Sequence, residues 1–416
     1  MPKSSGFKQV HRVSEALGIL FEKHQFIPEP EDIATEASFN RIIANDIRSS
    51  VNLPGFIRSA MDGFAIIASE THGASETTPI PFKIFGTIDI GDQKTPKLSS
   101  MTVMRISTGA PLPKGADAVL KLEDCEIVDS NTIEVVLPLT KWKNVAQADE
   151  DIKVGDLLFE AGHLMRPYDI GLLEAAAINQ IRVMRKPRIS ILSTGSELIP
   201  SGHIPKIGQV VDSNRPAINA WLTEFNVELV KSKQHGDNLE ELTRVILEMA
   251  SEVDLIITTG GTSVGTRDYL PQIIQEIGEY WVHGVAIRPG KPITIGHIRN
   301  DAKRTTIVAL PGYPLAAFLN FNLFVVPLLE KWTKQVGSWK QKTIVTLGQK
   351  VPSVEGMRDF VRLKRDGETV KILRITGAGI LSSLTNADYL LEIPEDNEGY
   401  PEGAEVEVII LRPENE

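Results

Sequence analysis

Between residues 187 and 310, short apolar runs alternate with helical stretches, and each run ends in glycine or proline. The runs are residues 188–193, 227–230, 254–258 and 306–310, and helical stretches lie at 216–225, 239–251 and 269–278. A run of Ile, Leu and Val with little polar alternation reads as a strand buried on both faces. Strands alternating with helices predict a parallel sheet covered by helices on both sides. Ligands of such sheets sit outside the carboxyl ends of the strands. The loops that follow the runs are therefore where chemistry is expected.

The flanking regions have a different texture. Val10, Val13, Leu17 and Leu20 mark one face of a helix over residues 9–22. From 27 to 145 the pattern is short β-runs, such as 82–85, 103–106 and 133–136, punctuated by turns at Gly91-Asp92 and Pro113-Lys114-Gly115. Residues 152–183 return to helix, with 169–177 a good helix former, and this helix is expected to pack on the N-terminal one. Residues 343–412 are β-runs with turns. The expected architecture is multidomain α/β plus β. Its parts are a discontinuous helical linker domain (1–27 and 147–186), an inserted β-rich domain (28–146), the parallel-sheet α/β domain (187–333) and a small, β-barrel-like C-terminal domain (334–416).

Length agrees, since 416 residues at roughly 100 to 200 per domain give two to four domains. The net charge of −10 argues against nucleic acid or an anionic membrane as partner, because both need a basic surface. The single cysteine, Cys125, rules out an internal disulfide, and the acids around it raise its thiol pKa, which makes it a poor nucleophile. No signal pattern opens the chain, and the most apolar stretch, 318–329, is interrupted by Asn320, Asn322 and Pro327. A soluble, cytoplasmic protein is expected.

The post-strand loops share one design. They read Ser193-Thr194-Gly195-Ser196-Glu197, then His235-Gly236-Asp237, then Thr259-Gly260-Gly261-Thr262-Ser263-Val264-Gly265-Thr266-Arg267-Asp268, then Leu310-Pro311-Gly312-Tyr313-Pro314. Gly-rich loops before helices let backbone N–H groups approach an anion. The lysine of a Walker loop is missing, and so is the dinucleotide glycine pattern. Any one loop reads more readily as a tight turn, but all of them at one sheet edge read as a site. Glu197, Asp237 and Asp268 would repel a bound phosphate there, a conflict that Mg²⁺ resolves. Arg288-Pro289-Gly290-Lys291-Pro292 places two cations around a turn that could grip an oxyanion. Local physics gives the segments around Asp62 and Thr108 only turns. The histidines show no pair at metal-ligand spacing.

In order along the chain stand Ser-x-Met-Asp-Gly-x-Ala (59–65), Thr-Gly-Ala-Pro-Leu-Pro (108–113), Ser-Thr-Gly-x-Glu-Leu (193–198), Asp-Ser-Asn-Arg (212–215), Gly-Gly-x-Ser-Val-Gly-x-x-Asp-Tyr (260–269), Pro-Gly-Lys-Pro (289–292) and Leu-Pro-Gly-x-Pro (310–314). This ordered set resembles the molybdopterin molybdenumtransferase family, MoeA and the gephyrin E domain, over nearly the whole chain. The resemblance implies a MogA-like molybdopterin-binding α/β domain. It also implies insertion of molybdenum from molybdate into adenylylated molybdopterin, with release of AMP and with Mg²⁺. It implies a homodimer, in which the α/β domain of one protomer faces the β-rich and C-terminal domains of the other. Possible partners are a molybdopterin adenylyltransferase and apo-molybdoenzymes.

Carried over position by position, the resemblance implies catalytic roles for Asp62, Thr108, Asp151, Asp237 and Lys291. Glu197 and Asp268 are the implied metal ligands. Ser107, Thr194, Gly195, Gly260, Gly261, Ser263, Gly265, Arg288, Pro311, Gly312, Pro314 and Arg362 would bind substrate. The chain departs from the family pattern at Ala146, Ser196, Arg288, Tyr313 and Ala378, none of them a core acid. Two other readings stand beside this one. Adenylyl transfer to molybdopterin does not need the β-rich and C-terminal domains, and a non-enzymatic scaffold lacks a fused second enzyme domain here.

Overall fold

The computed structural model describes residues 10–24, 26–262, 269–300, 303–374 and 377–412. The chain divides into two compact units, one of Asp32–Phe39 and Ile43–Val183, the other of Met1–Glu31, Asn40–Ile42 and Met184–Glu416.

The smaller unit contains a six-stranded sheet of β1 (Gly63–Ile66), β2 (Ile80–Ile88), β3 (Thr102–Ile106), β4 (Ala118–Lys121), β5 (Cys125–Asp129) and β6 (Thr132–Val135), in the order β4-β1-β3-β2-β6-β5. Gly63 lies where β1 and β4 meet most closely, since a Cβ there would sit 1.9 Å from the Leu120 carbonyl oxygen. Antiparallel pairing of Gly63 with Ile106 sets the residues just before β1 beside those just after β3.

In the larger unit the sheet is built from β7 (Arg188–Thr194), β8 (Glu228–His235), β9 (Leu255–Thr259), β10 (Gly278–His283), β11 (Thr294–Asn300) and β12 (Lys303–Leu310), ordered β8-β7-β9-β12-β11-β10. The four runs anticipated from sequence are its parallel strands. Successive side chains enter opposite cores. Ile191 and Ile257 join one with the helix Asn214–Leu222, while Leu192 and Ile256 join the other with the helix Leu239–Glu252. The antiparallel strands β10 and β11 were not anticipated. Gly278 and Gly296 break their pattern, and both are needed, because a Cβ at either would lie within 2.3 Å of a carbonyl oxygen on the neighbouring strand.

The helical stretch Pro314–Thr333 is long and apolar enough to cross a membrane by length and composition, yet most of it is buried inside the protein. Its Leu315, Phe318, Phe324 and Leu328 belong to the α/β core, so its apolarity serves packing.

The helix Val13–Lys23 buries Val13, Ala16 and Leu20 in that same core. Leu173 of the helix Pro167–Ala175 is buried with Ile43, Phe159 and Val183 in a core of the smaller unit. The two helices expected to form one linker domain thus each supply an apolar face to a different unit.

The C-terminal sheet comprises β13 (Lys342–Thr346), β14 (Arg358–Asp366), β15 (Thr369–Arg374), β16 (Tyr389–Ile393) and β17 (Glu405–Ile410). The short strand Ile287–Arg288 pairs in parallel with Arg358 and Asp359 at its edge. Phe360, Leu390 and Ile409 are buried in the α/β core, which ties this sheet to the larger unit.

Candidate active site

From β7 the chain crosses to β8 on one side, then returns to β9 on the other. Strand order therefore reverses at β7, and the crevice beyond its carboxyl end is the expected ligand site. A cavity of about 670 Å³ lies there, lined by all four post-strand loops. Thr194, Gly195, Gly260, Gly261, Pro311, Gly312 and Pro314 are on its wall, as the sequence predicted. At Gly260 a glycine is sterically required. Gly260 has φ +89°, and its Cβ would come 2.3 Å from the Thr194 carbonyl oxygen. Gly312 lies against it, with 3.5 Å between its would-be Cβ and the Gly260 Cα.

Two of the three predicted acids line the cavity, Glu197 and Asp237. The Glu197 carboxylate folds over Gly195, where a Cβ would lie 2.6 Å from Oε1. Asp237 accepts the Ser196 N–H at 2.9 Å, and its own N–H donates to Ser196 Oγ at 3.1 Å. Ser196, a departure from the family pattern, thus joins the first two loops. Asp268, Ser263 and Gly265 lie outside the described residues. Among the described residues, no group of three or more His, Cys, Asp and Glu side chains is placed to hold a metal.

The motif Asp212 to Arg215 was noted in the sequence but given no role in the site. Asp212, Ser213 and Asn214 line the cavity. Asp212 is buried and accepts from Ser193 Oγ at 2.6 Å and Arg215 Nε at 2.8 Å. Asn214 Nδ2 donates to the Gly312 carbonyl at 2.8 Å. The motif therefore braces the loop after β7 and the loop after β12. Gly379 and Leu381, from the C-terminal region of the same chain, complete the wall.

Two residues expected to bind substrate are engaged or enclosed by the protein itself. The Arg288 guanidinium is committed to Asp359 through both carboxylate oxygens, with Nε 2.7 Å from Oδ1. Asp359 is buried and is bound also by Ser353 Oγ at 2.6 Å, so removing Arg288 from it would strand a buried charge. Arg362 is fully buried in β14 and presents no guanidinium to solvent. Lys291 is exposed and adjoins Pro292, which lines the cavity.

The remaining predicted residues lie in the smaller unit. The register of β1 and β3 brings Asp62 to Thr108, whose N–H and Oγ1 donate to Asp62 Oδ1 at 2.7 and 3.0 Å. The backbone N–H of Thr108 first, then its hydroxyl, hold this exposed carboxyl below its usual range. Ser107 Oγ instead donates to Asp89 at 2.8 Å. Asp151 is exposed, and its N–H bonds the Leu53 carbonyl at 3.0 Å. Burial, and then Asp124, push the Cys125 thiol up, so it stays protonated.

An open α/β sheet with a loop-lined cavity at its switch point defines a ligand-binding domain of the doubly wound class. Residues 190–331 match the family model described as "Probable molybdopterin binding domain". Residues 11–177 match the MoeA N-terminal region (domains I and II), and 345–411 the MoeA C-terminal region (domain IV). The chain belongs to the MoeA family, the molybdopterin molybdenumtransferases. It is 35% identical to a protein of Methanocaldococcus jannaschii named for molybdopterin biosynthesis, across 97% of this chain and 99% of that one. It is 30% identical to a molybdopterin molybdenumtransferase of Staphylococcus aureus, across 96% and 95%. The crystal structure of a molybdopterin biosynthesis MoeA protein from Pyrococcus horikoshii superimposes with a TM-score of 0.81 at 34% identity, covering 97% of this chain and all of that one.

Proposed function

We propose that this chain inserts molybdenum from molybdate into adenylylated molybdopterin and releases AMP, with Mg²⁺. The observation that carries the reading is that Glu197 and Asp237 share a cavity wall with the Cβ-free backbone of Gly260 and Gly261. Bare backbone of this kind admits phosphate oxygens to main-chain N–H groups. Two carboxylates beside a phosphate would repel it. Mg²⁺ takes few carboxylates and fills its shell with water and phosphate oxygens, so this donor set suits it. Glu197 and Asp237 would hold the ion, with Asp268 a further ligand on the strength of the resemblance. Once bound, Mg²⁺ would neutralise phosphate charge.

The protein's own groups do the rest. Lys291, which is exposed, offers molybdate a point charge. Thr108 keeps Asp62 anionic and fixed in direction, and on the strength of the resemblance we assign Asp62 a part in the release of AMP. Asp212 and Asn214 hold the loops still.

Glu197→Gln tests the reading. Molybdenum incorporated into the pterin, measured by elemental analysis, is expected to need at least about tenfold more Mg²⁺, a differential of about 1.4 kcal/mol. An unchanged Mg²⁺ requirement would contradict it. Formation of adenylylated pterin from molybdopterin and ATP would point instead to adenylyl transfer.

A further inference from the structure

Tyr313 lines the strand-end cavity, yet it remains 66% exposed. Its backbone is fixed from both sides. A residue before proline is confined to extended backbone, and Tyr313 has φ −73° and ψ 130° before Pro314. Its carbonyl opens the helix Pro314–Asn320 by accepting the Ala317 N–H at 2.9 Å. One residue earlier, Asn214 holds the Gly312 carbonyl.

The ring is also backed on one side. The Leu315 N–H bonds the Ala378 carbonyl at 3.0 Å, which ties the C-terminal segment to the start of this helix. A Cβ at Gly379 would lie 3.1 Å from Tyr313 Cδ1, so a glycine lets that segment lie close against the ring. Tyr313 is one of the positions at which the chain departs from the family pattern.

We propose that Tyr313 is a stacking platform for the planar heterocycle of a phosphorylated ligand, either the adenine or the pterin. The proposal rests on the function proposed above. An aromatic face left open beside an anion cradle, on a fixed backbone, suits a flat ring whose phosphate is gripped nearby. The cavity, at about 670 Å³, is in the size range of small-molecule sites.

The test is calorimetric titration of wild type, Tyr313→Phe and Tyr313→Ala with AMP, molybdopterin and inorganic pyrophosphate. In Tyr313→Ala, affinity for AMP or for molybdopterin is expected to fall about tenfold or more, as loss of a stacked base does. Pyrophosphate affinity should stay unchanged, and Tyr313→Phe should match wild type. The ring ligand that loses affinity identifies the heterocycle. Equal loss for pyrophosphate, or no loss for either ring ligand, overturns the proposal. Molybdenum insertion by the same wild-type preparation tests the underlying function separately, so an active enzyme without a ring-specific loss rejects only the stacking.

Discussion

Asp62 and Asp169 are both carboxylates held below their usual pKa, and they differ in what surrounds them. Asp62 is exposed and governed by the N–H and hydroxyl of Thr108, so it stays charged and accessible. Asp169 is buried at the start of the helix Pro167–Ala175. Burial alone would raise its carboxyl, but hydrogen bonds from Arg166 and then His163 outweigh it and set it at about 2. A depressed carboxyl contributes stability that is complete above its ordinary pKa of 3.8 and lost as pH falls through about 2. Asp169→Asn is expected to cost on the order of 1–2 kcal/mol at neutral pH, allowing for the exposed Arg166. It should also flatten the acid limb of a urea-unfolding series, and a limb unchanged in the variant would refute this. Arg288 shows how a residue's partner can be hidden in the sequence. It reads as an anion ligand because its carboxylate partner, Asp359, lies 71 residues further on.

At the scale of elements, the parallel strands were legible because burial on both faces demands apolar residues at consecutive positions, as at Ile191-Leu192 and Ile256-Ile257. The post-strand loops were legible for a related reason. Their turns need glycine locally, as the positive φ at Gly260 and Gly261 shows, although the backbone that Gly260 makes room for, at Thr194, comes from another loop. The bracing by Asp212 and Asn214 was not legible, because it joins loops far apart in the chain. Gly260→Ala tests the loop account. Positive φ and a Cβ 2.3 Å from a carbonyl oxygen should together cost about 2 kcal/mol or more. Thermal unfolding should show a clear drop, and AMP binding should be lost. A variant as stable as wild type would mean that the loop can relax without cost.

For the whole molecule, a net charge of −10 means that anions are held only where local groups outweigh the global field. Under the proposed function, bare backbone at Gly260 and Gly261, the neighbouring Lys291 and Mg²⁺ would do this. From the family resemblance we propose that the chain works as a homodimer. Light scattering is expected to give twice the chain mass, and a single-chain mass at working concentration would contradict it. The central claim is that departure of AMP is coupled to arrival of molybdenum. The most direct measurement is AMP released from adenylylated molybdopterin by the pure protein and Mg²⁺, with and without molybdate. The account predicts release only with molybdate, one AMP for each molybdenum incorporated, and its loss in Asp62→Asn. AMP released equally without molybdate, or at the wild-type rate by Asp62→Asn, would contradict it.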